Sequence, residues 1–430
     1  ASSPLGRQFA VYKNLLYHAV LRSLQSYTYE CTPAKEVRSG IDKVEVLVEK
    51  GHHAAAYKML LRTRELAEAH SVHGGLLELM GWDRRLLRYL QPMRYLEELP
   101  RIEAYERKMM RIVEQEMEAI SIYDRLFAWV QVERRMEKTT FSLQLEAIGK
   151  RMGVLEEALY PAFGTTASLL NAKALFRQLH GDYQGMMDAY SALLAHWDSH
   201  PQIKKADPQR YARLQIAWLN STLAAGQIGQ HLATIRALRK IPIQGMTDRA
   251  RTIFQSYNLE LLWLMDQKDV ATALRFLPAF EQRLPDLLPF LDDLRLNSFF
   301  LNAAMLYFRG KAYKEGLAWA MRLISRDNEH RETVFFRSAI LLALVCNCEL
   351  GNLNAAETQL GTLSRRLSAR DADWEFGKIV VEWMKRLLPK WGLPEFDPLK
   401  QAFHAFLVEM EGRSAPVPMV LDLIKDWAGT

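Results

Sequence analysis

Three cysteines in 430 residues (Cys31, Cys346 and Cys348) are too few, and odd in number, for a disulfide framework. They suit a reducing compartment, so the chain is expected to be cytoplasmic. No apolar run reaches the roughly 18–20 residues that cross a bilayer; the longest, Ala339 to Cys346, has eight. No basic segment followed by an apolar one opens the sequence, and a secretory signal is not expected. Charge of one sign is not in excess either, with 56 Lys and Arg against 50 Asp and Glu. Residues 1–160 hold 24 against 22 and residues 161–430 hold 32 against 28, an even spread. Nucleic-acid binders concentrate such an excess on one face or tail, so nucleic acid is not the expected partner. The strong chemical motifs are missing as well: no Gly-x-x-x-x-Gly-Lys-Ser/Thr, Gly-x-Gly-x-x-Gly, His-Glu-x-x-His or Gly-x-Ser-x-Gly occurs. No cofactor, metal site or catalytic residue is therefore expected.

What remains is an ordinary globular composition, 49% apolar and 25% charged. No stretch alternates apolar and polar residues for long enough to require a strand, so the fold class expected is all-α. A phrase recurs along the chain: an apolar helix, a short turn, a second apolar helix. The turns start at Gly51, Gly181, Gly226, Lys268, Lys311 and Gly351, and from 181 onward they are 45, 42, 43 and 40 residues apart. Five residues after each start stands Ala56, Met186, His231, Ala273, Gly316 or Ala356, most of them small. Nine residues after it stands Leu60, Tyr190, Ile235, Leu277, Ala320 or Leu360. Gly at the turn can take the left-handed conformation that closes a helix. A small residue in the next helix lets its partner approach, and an apolar residue four positions on fills the same face. One helix pair cannot bury both apolar faces, so neighbours must stack into an α-solenoid.

The phrase Gly181-Asp182-Tyr183, followed by Tyr190, resembles the tetratricopeptide repeat. The likeness runs over about 165–370, with one further unit around 34–71. The period of 40–45 exceeds the family's ~34, Lys268 and Lys311 replace the turn Gly, and Met186 and His231 replace its small Ala. The whole chain also resembles bacterial helical-repeat proteins with no assigned activity. Both resemblances imply a fold; neither implies an activity.

Residues 1–99 read as N-terminal helices containing one repeat-like pair. Apolar positions 102, 105, 109, 113, 117, 120, 123, 127 and 130 predict a long helix, about 35 residues and roughly 50 Å. With Thr139 and Thr140 as N-caps for a second helix to Tyr160, residues 100–160 form a long helical hairpin. Residues 161–370 form the repeat array, and 371–430 form capping helices at about 371–388, 396–411 and 417–428.

Candidate ligands weigh against a site. Cys346 and Cys348 stand two apart on a helix, where side chains diverge by about 200°, and read as buried hydrophobes. His196 and His200 share a face, yet Pro201 ends that helix and zinc takes three or four ligands. His52, His53, His70 and His73 bracket one helix, about 27 Å apart. Paired acids (Glu97/Glu98, Glu156/Glu157, Asp292/Asp293) and basic runs (Arg84/Arg85/Arg88, Arg134/Arg135, Arg365/Arg366/Arg370) read as solvated faces. Trp129, Trp197, Trp218, Trp263, Trp319, Trp374 and Trp383 read as core between helices.

Asparagines in otherwise apolar helices carry more information. Asn171, Asn220, Asn258 and Asn302 each precede the turn of their repeat and so lie on first helices. The tetratricopeptide resemblance implies that first helices line a concave face whose polar residues grip a peptide backbone. The other reading is internal: asparagine is costly to bury unpaired, so each could bond a neighbouring helix. Tyr257 would add apolar contact, and Arg337 a charge able to pair bidentately with a carboxylate. The expected function is a non-catalytic scaffold that binds another protein or a peptide. The alternative is a regulatory module whose groove binds a signal peptide or small ligand and controls an upstream effector. An enzyme or a nucleic-acid binder ranks below both.

Overall fold

The computed structural model describes residues 4–28, 32–132, 138–326, 334–366, 375–411 and 419–429. These are 87% helical with no strand among them, so the all-α expectation is met. The α-helices run α1 (Pro4–Thr28), α2 (Pro33–Glu49), α3 (His53–Ala69), α4 (His73–Leu90), α5 (Pro92–Val132), α6 (Lys138–Glu157) and α7 (Phe163–Leu179). Then come α8 (Tyr183–Asp198), α9 (Pro201–Ala206), α10 (Pro208–Ala224), α11 (Leu232–Ala237), α12 (Met246–Asp266), α13 (Val270–Glu281) and α14 (Leu284–Leu287). The series closes with α15 (Asp293–Arg309), α16 (Tyr313–Ile324), α17 (Val334–Glu349), α18 (Leu353–Arg366), α19 (Glu375–Leu387), α20 (Phe396–Glu411) and α21 (Met419–Ala428). The chain divides into two units, Ala1–Ala225 and Gly226–Thr430.

All six turn starts read from the sequence have positive φ: Gly51 76°, Gly181 71°, Gly226 70°, Lys268 57°, Lys311 58° and Gly351 76°. Five of them close the preceding helix with the same two bonds. At the first, Gly51 N–H donates to the Val48 carbonyl (3.0 Å) and His52 N–H to that of Leu47 (2.8 Å). The same pair recurs at 181/182, 268/269, 311/312 and 351/352. This is a Schellman motif, which satisfies carbonyls that a helix end would otherwise leave bare. The following residue then starts the next helix, and its carbonyl accepts from the amide four positions on: Ala56, Met186, Ala273, Gly316 or Ala356. Asp182 and Asp269 add side-chain caps to Gly185 (2.8 Å) and Thr272 (3.1 Å). A sixth closure of the same form, at Ser71 (φ 55°), joins α3 to α4. Serine there carries no glycine signal, so sequence reasoning passed over it.

The side chains at the aligned positions behave as that register requires. Ala56, Ala273 and Ala356 are fully buried, as are Leu60, Ile235, Leu277 and Ala320. A Cβ at Gly316 would lie 3.4 Å from the Ala304 carbonyl oxygen and from the Phe308 nitrogen, backbone atoms of α15. The exception is the Gly226 turn. There the next segment is a 3-10 turn, Ile228–Gln230, then the short α11, and His231 is only half-buried. This turn is where the two units divide.

In the first unit, α2, α3 and α4 pack together, α5 packs on α4 and α7, and α8 packs on α7 and α10. The long helix starts at Pro92 rather than after Pro100, giving 41 residues and about 60 Å. Pro100 lies inside it, so the Leu96 carbonyl, on an exposed turn, lacks the usual helical donor. Its inward stripe serves two cores. Ile102, Met109 and Ile112 join Val37, Leu60 and Leu79, whereas Ala119, Ile122, Leu126 and Trp129 join Leu145, Ile148 and Leu175. Thr139 and Thr140 fall within the first turn of α6, which starts at Lys138, so neither caps it. In the second unit, α15 touches α12, α13, α16 and α17; α17, α18, α19, α20 and α21 follow, each packing on its predecessor. The closing helices α20 and α21 lie where proline punctuation predicts them, and α19 starts at Glu375, inside the span expected for the helix before them.

Candidate binding surface

The six residues singled out from the sequence fall into different environments. Asn171 is half-buried on α7 and Asn220 is exposed on α10, both in the first unit. The other four belong to the second unit. Asn258 (8% exposed) on α12 and Asn302 (6%) on α15 are buried and face each other. Asn302 Nδ2 donates to Asn258 Oδ1 at 3.0 Å. Their amides form a rung between the first helices of successive pairs, which is the internal reading of these asparagines. Asn347 (4% exposed) on α17 makes a comparable link, donating to Gln359 Oε1 (3.0 Å) and accepting from Asn352 Nδ2 (3.2 Å). Arg337 is 7% exposed, so its charge lies within the protein, on the first two turns of α17.

Tyr257 is the member that sits at a cluster. Its ring stacks on the fully buried Phe280 (4.4 Å between centroids, 15°) and packs against Phe276. Over its other side lies the guanidinium of Arg239, 3.8 Å from the ring centroid. Arg283 Nη1 donates to its hydroxyl at 3.0 Å. One turn on, the Glu260 carboxylate is buried and takes both Arg236 (Nε 2.8 Å, Nη2 2.7 Å) and Arg239. Arg239 also donates to Ser256, through Nε to Oγ at 2.9 Å. Sequence reasoning missed Glu260 and these arginines. The signal was a lone acid within Leu259-Glu260-Leu261-Leu262, which a buried helix tolerates only when paired.

The histidines spend their nitrogens locally. His200 Nδ1 donates to the His196 carbonyl (2.8 Å), and His196 Nε2 to that of Phe163 (3.2 Å). Phe163 stacks on the His196 ring at 4.9 Å, and burial lowers the His196 pKa below the usual imidazole value. His73 Nδ1 instead bridges α4 to α5 through Glu116 (2.8 Å). Among the described residues no group of three or more His, Cys, Asp or Glu is placed to hold a metal. Cys346 and Cys348 are fully buried, and burial pushes both thiols up to about 12, far from reactive; Cys31 lies outside the described residues.

Several members of the charged runs are partly exposed and also paired. Arg84 forks onto Glu106, Glu156 meets Lys173, and Asp292 and Asp293 hold Arg295 and Arg326. Glu98 pairs with Arg94, and Arg365 donates to the Gly361 carbonyl. Arg134, Arg135, Arg370 and Trp374 lie outside the described residues. Trp129, Trp197 and Trp319 are buried, and Trp218 and Trp263 are half-buried with indole N–H groups bonded to Ser191 and Gly229. A groove of about 610 Å³ between α6 and α7 has an apolar floor of Phe141, Leu145, Phe176 and Leu179.

No protein-family model, no curated protein and no solved structure matches this chain.

Proposed function

We propose that this chain is a non-catalytic helical-repeat scaffold that binds another protein or a peptide. Its helix pairs stack as a tetratricopeptide-like α-solenoid, in a cytoplasmic setting that scarce cysteine suits. The observation that carries the reading is the repeated closure. The same left-handed turn and the same pair of hydrogen bonds recur at five of the six matched positions, and at those five the residue five places on is buried. Such stacking turns one helix of each pair toward a shared face, and extended concave faces are what repeat proteins use for binding. Side chains with free reach are Arg236 and Arg283 beside Tyr257 in the second unit and, separately, Asn220 in the first. Asn258, Asn302 and Arg337 fix one helix to the next or lie within it, and help binding only by holding that face in shape.

The test is selection of binders from a displayed random-peptide library, with the full chain as bait. Peptides enriched over the bare support, binding one per chain and weakened several-fold by Tyr257→Ala, are the expected result. A library that yields no enriched peptide would contradict the proposal.

A further inference from the structure

The structure carries one inference beyond a general peptide-binding role, and it rests on that role: we infer that the Arg236–Arg239–Arg283 cluster around Tyr257 receives an acidic segment of the partner. Three guanidiniums meet there, and Glu260 is the one carboxylate bonded to them among the described residues. That leaves an excess of two positive charges on one small patch. Glu260 is 3% exposed and takes Arg236 and Arg239 together, so it has little left to offer Arg283.

The cluster is built, and its outer arms are open. Phe280 holds the Tyr257 ring, and the ring holds Arg239 by cation–π contact. Arg239 is 23% exposed and fixed by Ser256 and Glu260. Arg236, in contrast, is 58% exposed although Nε and Nη2 are both bonded. Arg283 is exposed and, among the described residues, bonds through Nη1 to the Tyr257 hydroxyl. Because that hydroxyl accepts from Arg283, its own proton is left to donate outward. The patch thus presents two guanidinium edges and a phenol O–H as donors. Guanidinium matches the two oxygens of a carboxylate in a planar fork, and a pre-fixed arginine loses little freedom on binding. Aspartate or glutamate side chains in a peptide supply that group; a peptide rich in lysine or arginine would meet like charge.

The test compares the full chain with two exposed-charge variants against the random-peptide library, followed by affinity measurements at rising salt. R236Q/R283Q removes the open arms and keeps Arg239 on Glu260. R365Q/K390Q removes the same charge from distant exposed positions of the same unit. The expected peptides carry a surplus of Asp and Glu and bind the parent and R365Q/K390Q alike. They bind R236Q/R283Q at least tenfold more weakly, and the parent's advantage shrinks as salt screens the charges. Enriched peptides that are neutral or basic would overturn the inference while leaving peptide binding intact. Acidic peptides that bind R236Q/R283Q as well as the parent, or that lose as much on R365Q/K390Q, would overturn it too. A library with no enriched peptide would remove the peptide-binding reading itself.

Discussion

The two units bury their apolar surface in different ways. In the first, the core is divided into three clusters, and a single long helix, α5, contributes to two of them. In the second, one continuous cluster runs from Ala250 on α12 to Ala428 on α21. In the second unit, α12 and α13, α15 and α16, and α17 and α18 are each joined by the same left-handed turn, and every one of these helices contributes buried side chains to that one cluster. In the first, a 41-residue helix spans more than one stack and leaves each cluster local. Cooperativity should follow this difference, because a defect spreads only as far as packed side chains connect.

The largest effect should come from a hole in the continuous cluster. Phe299 is fully buried and meets Phe280, Phe254 and Trp319 edge-on at 5.0, 5.4 and 5.7 Å. Phe299→Ala should cost about 3–5 kcal/mol, and hydrogen exchange should accelerate from α12 through α21. Ile122→Ala, at a fully buried site of α5, should accelerate exchange in α5, α6 and α7 and leave α2–α4 protected. Equal spread in both variants would erase the contrast.

Overpacking sharpens what the units share. Gly316→Leu and Ala56→Leu place a large side chain at the same position of the pair, one in each unit, and each should lose about 1–3 kcal/mol in urea unfolding. If either is neutral, that pair is out of register. The asparagine rung belongs to the second unit alone. Asn258→Ala strands the buried Asn302 amide and should cost about 1–3 kcal/mol, with much of it recovered when Asn302 is also made Leu. Asn171→Ala, at a half-buried site with no hydrogen bond among the described residues, should change melting little.

The smallest effect is electrostatic and confined to the first unit. Burial holds the His196 pKa below its unfolded value. Below the unfolded pKa the unfolded state therefore binds more protons, and stability falls as pH drops through that region. His196→Phe should lose less melting temperature between pH 7.5 and pH 5.5 than the parent does. An identical loss would show that His196 takes no part in the acid response.

Much of this architecture was legible in the residues. Turn chemistry is local: Gly181 and Gly351 announce themselves, and spacing alone located Lys268 and Lys311 although lysine has no left-handed preference. Ser71 escaped because neither its type nor its spacing fitted the pattern. The break at Gly226 coincides with His231, a bulky residue where the other repeats place small or flexible ones. Site residues were harder to read. A buried asparagine and an exposed one look alike in a helical pattern until the neighbouring helix is placed. Asn258 and Asn302 stand 44 residues apart, a distance that only stacking closes. Glu260 met its arginines by the same long-range route, with Arg236 24 residues away.

The central claim is that one turn device is repeated along both units, and exchanging its residues tests it most directly. A side chain beyond glycine pays for the left-handed conformation, so Lys268→Gly and Lys311→Gly should each raise stability, by up to about 1 kcal/mol. Gly181→Lys and Gly351→Lys should lower it by a similar amount. Urea unfolding of these four variants should give two shifts of each sign, whichever unit the turn belongs to. Shifts of one sign throughout, or none at the lysine turns, would contradict a common turn and with it the repeat.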